Sequence, residues 1–242
     1  MKSVDSYIAR RNEMVLEQIS RRGVTDARVL DAMRAVAREE FVPEDMRELA
    51  YTDQPLPIGE GQTISQPYIV AAMTEALLLR GGENVLEIGT GSGYAAAVLA
   101  NIAREVHTIE RIAVLADRAR ATLQRLGYGT VNVIVGDGTL GWPGAAPYDA
   151  IVITAEGPRV PPSLRAQLKP GGRLVMPLGK TPFDQVLVRL TRGDDGEDGM
   201  EELYPVRFVP LIGAEGWNAT ERSPLDGHHA EVPPPGGGGN SR

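Results

Sequence analysis

The sequence predicts an α/β protein: an open, doubly wound, mostly parallel sheet of seven strands, with N-terminal helices and a C-terminal antiparallel hairpin. Three observations carry this expectation. From Asn84 onward, short apolar runs alternate with segments of helical period. A glycine-rich turn follows the first of those runs. The last two runs are separated only by a polar segment that is too short for a crossover helix.

Residues 1–51 read as helices. Tyr7, Ile8, Met14, Val15 and Ile19 recur near helical spacing, and Val29, Leu30, Met33 and Val36 repeat the pattern after Gly23. Residues 52–67, TDQPLPIGEGQTISQP, gather prolines and glycines with little periodicity, so a long irregular loop of functional character is expected there. The runs NVLEIG, EVHTIE, VNVIVGD, YDAIVIT and GRLVMPLG are continuous in Val, Ile and Leu, as strands buried on both faces must be. QVLVRLTR and YPVRFVPL flank the polar GDDGEDGMEEL and are expected to pair antiparallel. Residues 1–219 are expected to form a single domain. After Thr220 the chain turns polar and rich in proline and glycine, which predicts a disordered tail over 220–242, with His228 and His229 solvated.

Composition narrows the chemistry. With no cysteine among its 242 residues, the chain has no disulfide framework, thiolate nucleophile or cysteine-held zinc. A net charge of −7 offers no basic field for phosphate backbones, so no nucleic-acid partner is expected. Charges interrupt every apolar run near the N-terminus, and Thr74 and Glu75 interrupt the stretch from Ile69 to Leu79. A cytoplasmic protein without a membrane partner is therefore expected.

The segment VLEIGTGSGY places Gly89, Gly91 and Gly93, with Thr90 and Ser92 between them, just after a strand and before a helix. Bare backbone there can approach a ligand at the carboxyl edge of the sheet. A dinucleotide fingerprint requires a third glycine where this chain has Tyr94, which weakens a nicotinamide reading. Glu110 closes the second strand, where a carboxylate can accept two ribose hydroxyls; a solvated strand end is the alternative. Asp137, followed by Gly138, ends the third strand, where side chain or backbone can meet an adenine amino group; a turn-forming Asp-Gly is the alternative. With Glu87, Glu110 and Asp137 nearby and no lysine, a cationic cofactor without phosphate fits better than a pyrophosphate.

The glycine turn resembles that of class I methyltransferases, and the loop GEGQTISQPYIVA narrows the resemblance to the protein-L-isoaspartate O-methyltransferase family. EEFVPEDMRELAYTDQPLPIG, VGDGTLGWPGAAPYDAIVITA, LKPGGRLVMPLG and PVRFVPL support it, so that it covers roughly residues 10 to 217. The resemblance implies S-adenosyl-L-methionine as cofactor and S-adenosyl-L-homocysteine as its product; a monomer is expected. Its substrates would be isoaspartate-containing proteins and peptides. Their free α-carboxylate is methylated, and the ester closes to a succinimide whose hydrolysis restores some normal aspartate.

By the same resemblance, Gln62, Thr63, Ile64 and Ser65 lie over the cofactor. Ser65 matches the active-site hydroxyl and also contacts substrate, alongside Val209, Pro210 and Leu211. Glu87 would be the outer partner of the cofactor ammonium. Local readings compete: Ser65 before Gln66 and Pro67 also suits a helix N-cap, and VRFVPL also suits a plain final strand, whose edge could pair with a peptide. Glu156 stands where the family has small residues after the fourth strand, either tuning substrate choice or turned to solvent. A sister enzyme esterifying normal aspartate, a non-catalytic binding module and a nicotinamide oxidoreductase remain alternatives.

Overall fold

The computed structural model describes residues 4–181, 183–194 and 197–218. Helix α1 (Val4–Glu13) runs on through a π-helical turn over Met14–Ile19, which buries Met14, Val15 and Ile19. Helix α2 (Ala27–Ala35) follows, capped by the Asp26 carboxylate, which accepts from the Arg28 N–H at 2.8 Å. Segment 52–67 is more ordered than its composition suggests. Strands β1 (Leu56–Gly59) and β2 (Gln62–Ile64) form a small antiparallel hairpin, with Leu56 and Ile64 paired and buried.

Helix α3 (Pro67–Ala76) leads into the main sheet through β3 (Asn84–Ile88). There follow α4 (Tyr94–Ala100), β4 (Glu105–Glu110), α5 (Ala113–Arg125), β5 (Val131–Val135), β6 (Tyr148–Ile153), α6 (Pro162–Gln167), β7 (Leu168–Leu178), β8 (Val186–Thr191) and β9 (Gly199–Pro205). The seven strands lie in the order β5-β4-β3-β6-β7-β8-β9. Pairing is parallel from β5 to β7 and antiparallel for β7 with β8 and β8 with β9.

All five residues of β3 are buried, as the centre of a sheet covered on both faces requires. Because β4 and β6 leave β3 on opposite sides, the strand order reverses there. A crevice opens at the carboxyl ends of β3 and β6.

The predicted architecture holds, but the final strand is misplaced in the sequence reading. The partner of β8 is GMEELYP, not YPVRFVPL. As the edge of the sheet, β9 needs few apolar residues, and its first four are exposed. The apolar RFVPL instead leaves the sheet and crosses its carboxyl edge. The tail expected over 220–242 lies outside the described residues.

Candidate active site

A cleft sits at the switch point. Its floor is the turn after β3, Gly89–Thr90–Gly91–Ser92, with Glu110, Ile112, Gly138, Thr154 and Ala155. Its roof is Gln62–Thr63–Ile64–Ser65 from the hairpin, and its far wall is Val209–Pro210–Leu211–Ile212. The two segments singled out from opposite ends of the chain therefore face the same space.

The floor is held by its own bonds. Gly89 adopts φ +97°, and a Cβ there would lie 2.3 Å from Thr154 Oγ1, so only glycine lets the turn close against β6. The Thr154 hydroxyl lies 3.0 Å from the carbonyls of both Ile88 and Gly89. Glu110 accepts the Gly91 N–H on one carboxylate oxygen and the Ile112 N–H on the other, both at 2.9 Å. Each oxygen retains a further acceptor position, so the carboxylate can brace both loops and still receive a pair of ligand hydroxyls. A Cβ on Gly138 would lie 2.3 Å from Ile88 Cγ2, so glycine is needed there too.

Ser65 lines the cleft, and its carbonyl accepts from Arg38 Nη2 at 2.9 Å. The N-cap reading of Ser65 is corrected. Helix α3 begins at Pro67 with Gln66 at the cap, and the Gln66 amide reaches back to Asp53 Oδ2 at 2.7 Å. Arg38 was invisible in the sequence, because a buried arginine is spelled like a surface one. It is fully buried, donates to the Ala50 carbonyl at 2.7 Å, and lies 4.8 Å over the Tyr94 ring. Burial lowers its pKa.

Of the three carboxylates expected in the pocket, only Glu110 lines it. Asp137 is turned away: Oδ1 accepts from the N–H and hydroxyl of Thr139 at 2.9 and 2.7 Å, and Oδ2 accepts from the Ala214 N–H at 2.7 Å. It caps a short 3₁₀ turn, the local role its Asp-Gly context allowed, and leaves Gly138 to face the cleft.

Glu87, expected as the outer partner of the ammonium, is buried beneath the glycine turn and does not itself line the cleft. The Thr108 hydroxyl donates to Glu87 Oε2 at 2.6 Å and lies 2.6 Å from the Thr90 hydroxyl. Burial pushes the Glu87 pKa up to about 8; the Thr108 hydrogen bond opposes this, and the charge of Glu110 adds to it. Gly93 lies behind the turn, where a Cβ would press on Leu123. Arg111, exposed on the rim, brings a cation that the sequence reading omitted.

The 209–211 segment lines the cleft, and backbone groups at both of its ends pair with Glu156. The Val209 carbonyl accepts from the Glu156 N–H at 2.8 Å, and the Leu211 N–H donates to the Glu156 carbonyl at 2.6 Å. Pro210 has no N–H. One side of this segment is thus paired with Glu156. Glu156 is not turned to solvent: it is 0 % exposed, and its carboxylate accepts the Trp217 indole N–H at 3.1 Å. Thr154 and Ile112 were missed, although each sits within two residues of a strand end at the switch point, which was the available signal.

Residues 9–216 match the family described as protein-L-isoaspartate(D-aspartate) O-methyltransferase. A protein-L-isoaspartate O-methyltransferase 1 of Rhodopseudomonas palustris (strain HaA2) is 64% identical over 227 residues, covering 94% of this chain and 93% of the relative. Another, from Pelobacter propionicus, is 60% identical over 208 residues, covering 86% of this chain and 92% of the relative.

Among solved structures, a protein-L-isoaspartate O-methyltransferase superposes with TM-score 0.76 at 30% identity, covering 85% of this chain and 67% of that one. A Plasmodium falciparum relative, solved with S-adenosyl-L-homocysteine, superposes with TM-score 0.72 at 26% identity, covering 84% of this chain and 98% of its own. Fold, cleft and these neighbours define a class I S-adenosylmethionine-dependent methyltransferase. Within that class, the chain belongs to the protein-L-isoaspartate(D-aspartate) O-methyltransferase family.

Proposed function

We propose that this enzyme transfers a methyl group from S-adenosyl-L-methionine to the free α-carboxylate of L-isoaspartyl residues in damaged proteins and peptides. The observation that carries the reading is the single cleft in which the glycine turn and Glu110 face the Ser65 loop and the Val209–Ile212 wall. The residues present fit the cofactor. The glycine turn allows close backbone approach, Glu110 keeps two acceptor positions for ribose hydroxyls, and among the described lining residues Arg111 alone is basic. When bound, that cofactor supplies an electrophilic methyl on a positively charged sulfur.

What remains for the protein is alignment. An isoaspartyl carboxylate, with a reference pKa near 4, is already ionised at neutral pH, so no general base is required. One carboxylate oxygen forms the new O–C bond as the S–C bond breaks, and the electron pair returns to sulfur. Ser65 orients the carboxylate, while the apolar wall excludes water and holds the acid near attack geometry. The methyl ester then closes to a succinimide, which hydrolyses partly to normal aspartate.

Ser65→Ala is expected to lower kcat about tenfold to hundredfold, the loss of one hydrogen bond to a charged group, with a smaller change in cofactor Kd. Unchanged turnover would remove Ser65 from the mechanism. Tritiated methyl transfer to matched isoaspartyl and aspartyl peptides tests the substrate assignment: label confined to the isoaspartyl peptide supports it, and label on the aspartyl peptide alone overturns it. From the sequence, the enzyme is further proposed to act as a single-domain cytoplasmic monomer without nucleic-acid or membrane partners. Among the described residues no helix is long and apolar enough to cross a membrane.

A further inference from the structure

Val209, Pro210, Leu211 and Ile212 form one wall of the cleft, yet they belong to none of the strands of the main sheet. Asp137, Thr139 and Ser163 hold Ala214 and Glu215 further along the same loop, while the wall itself is anchored on one residue. Glu156, three positions beyond the end of β6, donates its N–H to the Val209 carbonyl at 2.8 Å and accepts the Leu211 N–H at 2.6 Å. Its carboxylate accepts the indole N–H of Trp217 at 3.1 Å. Trp217 in turn donates its backbone N–H to the Leu211 carbonyl at 2.8 Å, and its own carbonyl accepts from Gly213 at 3.3 Å. Segment 209–217 is thus a closed loop, gripped at its start by the Glu156 backbone and at its end by the Glu156 side chain.

The side chain itself stays out of the cleft. Thr154 and Ala155 line it, whereas Glu156 does not. A carboxylate buried so completely is tolerated where hydrogen bonds compensate its lost hydration. In this fold the compensation includes the indole of the loop that it restrains.

We propose that Glu156 is a positioning residue for the substrate: by holding Trp217, its carboxylate fixes Val209–Ile212 as the wall against which the isoaspartyl chain lies. The inference rests on the methyl-transfer reading above for its kinetic consequence, but not for its structural one. What matters is an acceptor at the Glu156 carboxyl position, not a charge in the cleft.

The test compares Glu156→Ala, Glu156→Gln, Trp217→Phe and the double variant Glu156→Ala/Trp217→Phe. Each is first checked for S-adenosylhomocysteine binding by calorimetry and for native circular dichroism. Loss of one buried hydrogen bond is expected to raise the isoaspartyl-peptide KM about tenfold in Glu156→Ala and in Trp217→Phe. Cofactor Kd and kcat should each move less than about threefold, well under the loss of one hydrogen bond. The glutamine variant keeps an acceptor oxygen and should remain near wild type. The double variant should be no worse than the poorer single one, as two ends of one bond require.

Hydrogen exchange supplies a readout independent of turnover: the Leu211 and Trp217 amides should lose protection in Glu156→Ala and keep it in Glu156→Gln. Unchanged peptide KM in both single variants, additive losses, or equal loss in the alanine and glutamine variants would each overturn the proposal. If Glu156→Ala does not fold, Trp217→Phe and Glu156→Gln decide the same question. A wild-type enzyme that methylates no isoaspartyl peptide, while the exchange pattern follows expectation, would reject the substrate assignment and leave the latch standing.

Discussion

Glu87 shows how far a residue's chemistry can depart from its place in a motif. In an unfolded chain it titrates near its ordinary 4.5; beneath the glycine turn, burial moves it up to about 8. The folded state therefore binds the proton more tightly than the unfolded state across that interval. The stability this group contributes is complete below about 4.5 and is lost as pH rises through about 8. Urea unfolding of wild type and Glu87→Gln between about pH 5 and pH 8 should show the variant gaining on wild type, with a slope of up to about 1.4 kcal/mol per pH unit. A difference that does not change with pH would contradict this account. The motif located Glu87 at the strand end, but alternation along β3 decides which way it points, and only its neighbours reveal that. Asp137 was ambiguous for the same reason: its position and its local bond to Thr139 were legible, while its bond to Ala214 depends on a segment almost eighty residues further on.

At the scale of elements, the parallel strands were legible because burial on both faces writes them as unbroken Val/Ile/Leu runs, as in β3 and β6. Two elements obeyed other rules. The β1–β2 hairpin hides among prolines, and its pairing is short. The β9 edge is polar, while the more apolar RFVPL serves the cleft. The turn after β3 was read correctly as glycine-dependent, and the structure supplies the reason. In Gly89→Ala, the new methyl would meet Thr154 Oγ1 at 2.3 Å in a backbone with φ +97°. Strain of about 1–3 kcal/mol is expected at that one residue. If the turn shifts to relieve it, cofactor Kd measured by calorimetry should rise about tenfold or more. Binding as tight as wild type would show that the turn does not need its observed conformation.

At the scale of the whole molecule, the cleft joins the hairpin before α3, the centre of the sheet and the segment after β9, so a ligand there contacts all three regions. S-adenosylhomocysteine at about a hundred times its Kd should add about 2.7 kcal/mol of stability and raise Tm by about 5–10 °C. No shift would mean that the native protein does not bind it. The same cleft is braced before any ligand contributes a bond. Glu110 already ties Gly91 to Ile112, and Thr154 already meets the carbonyls of Ile88 and Gly89. Freezing that cradle is accomplished once, when the chain folds, and is not repeated at each catalytic cycle. An incoming nucleoside meets a rigid seat, so its affinity is not eroded by the entropy of ordering a floppy loop.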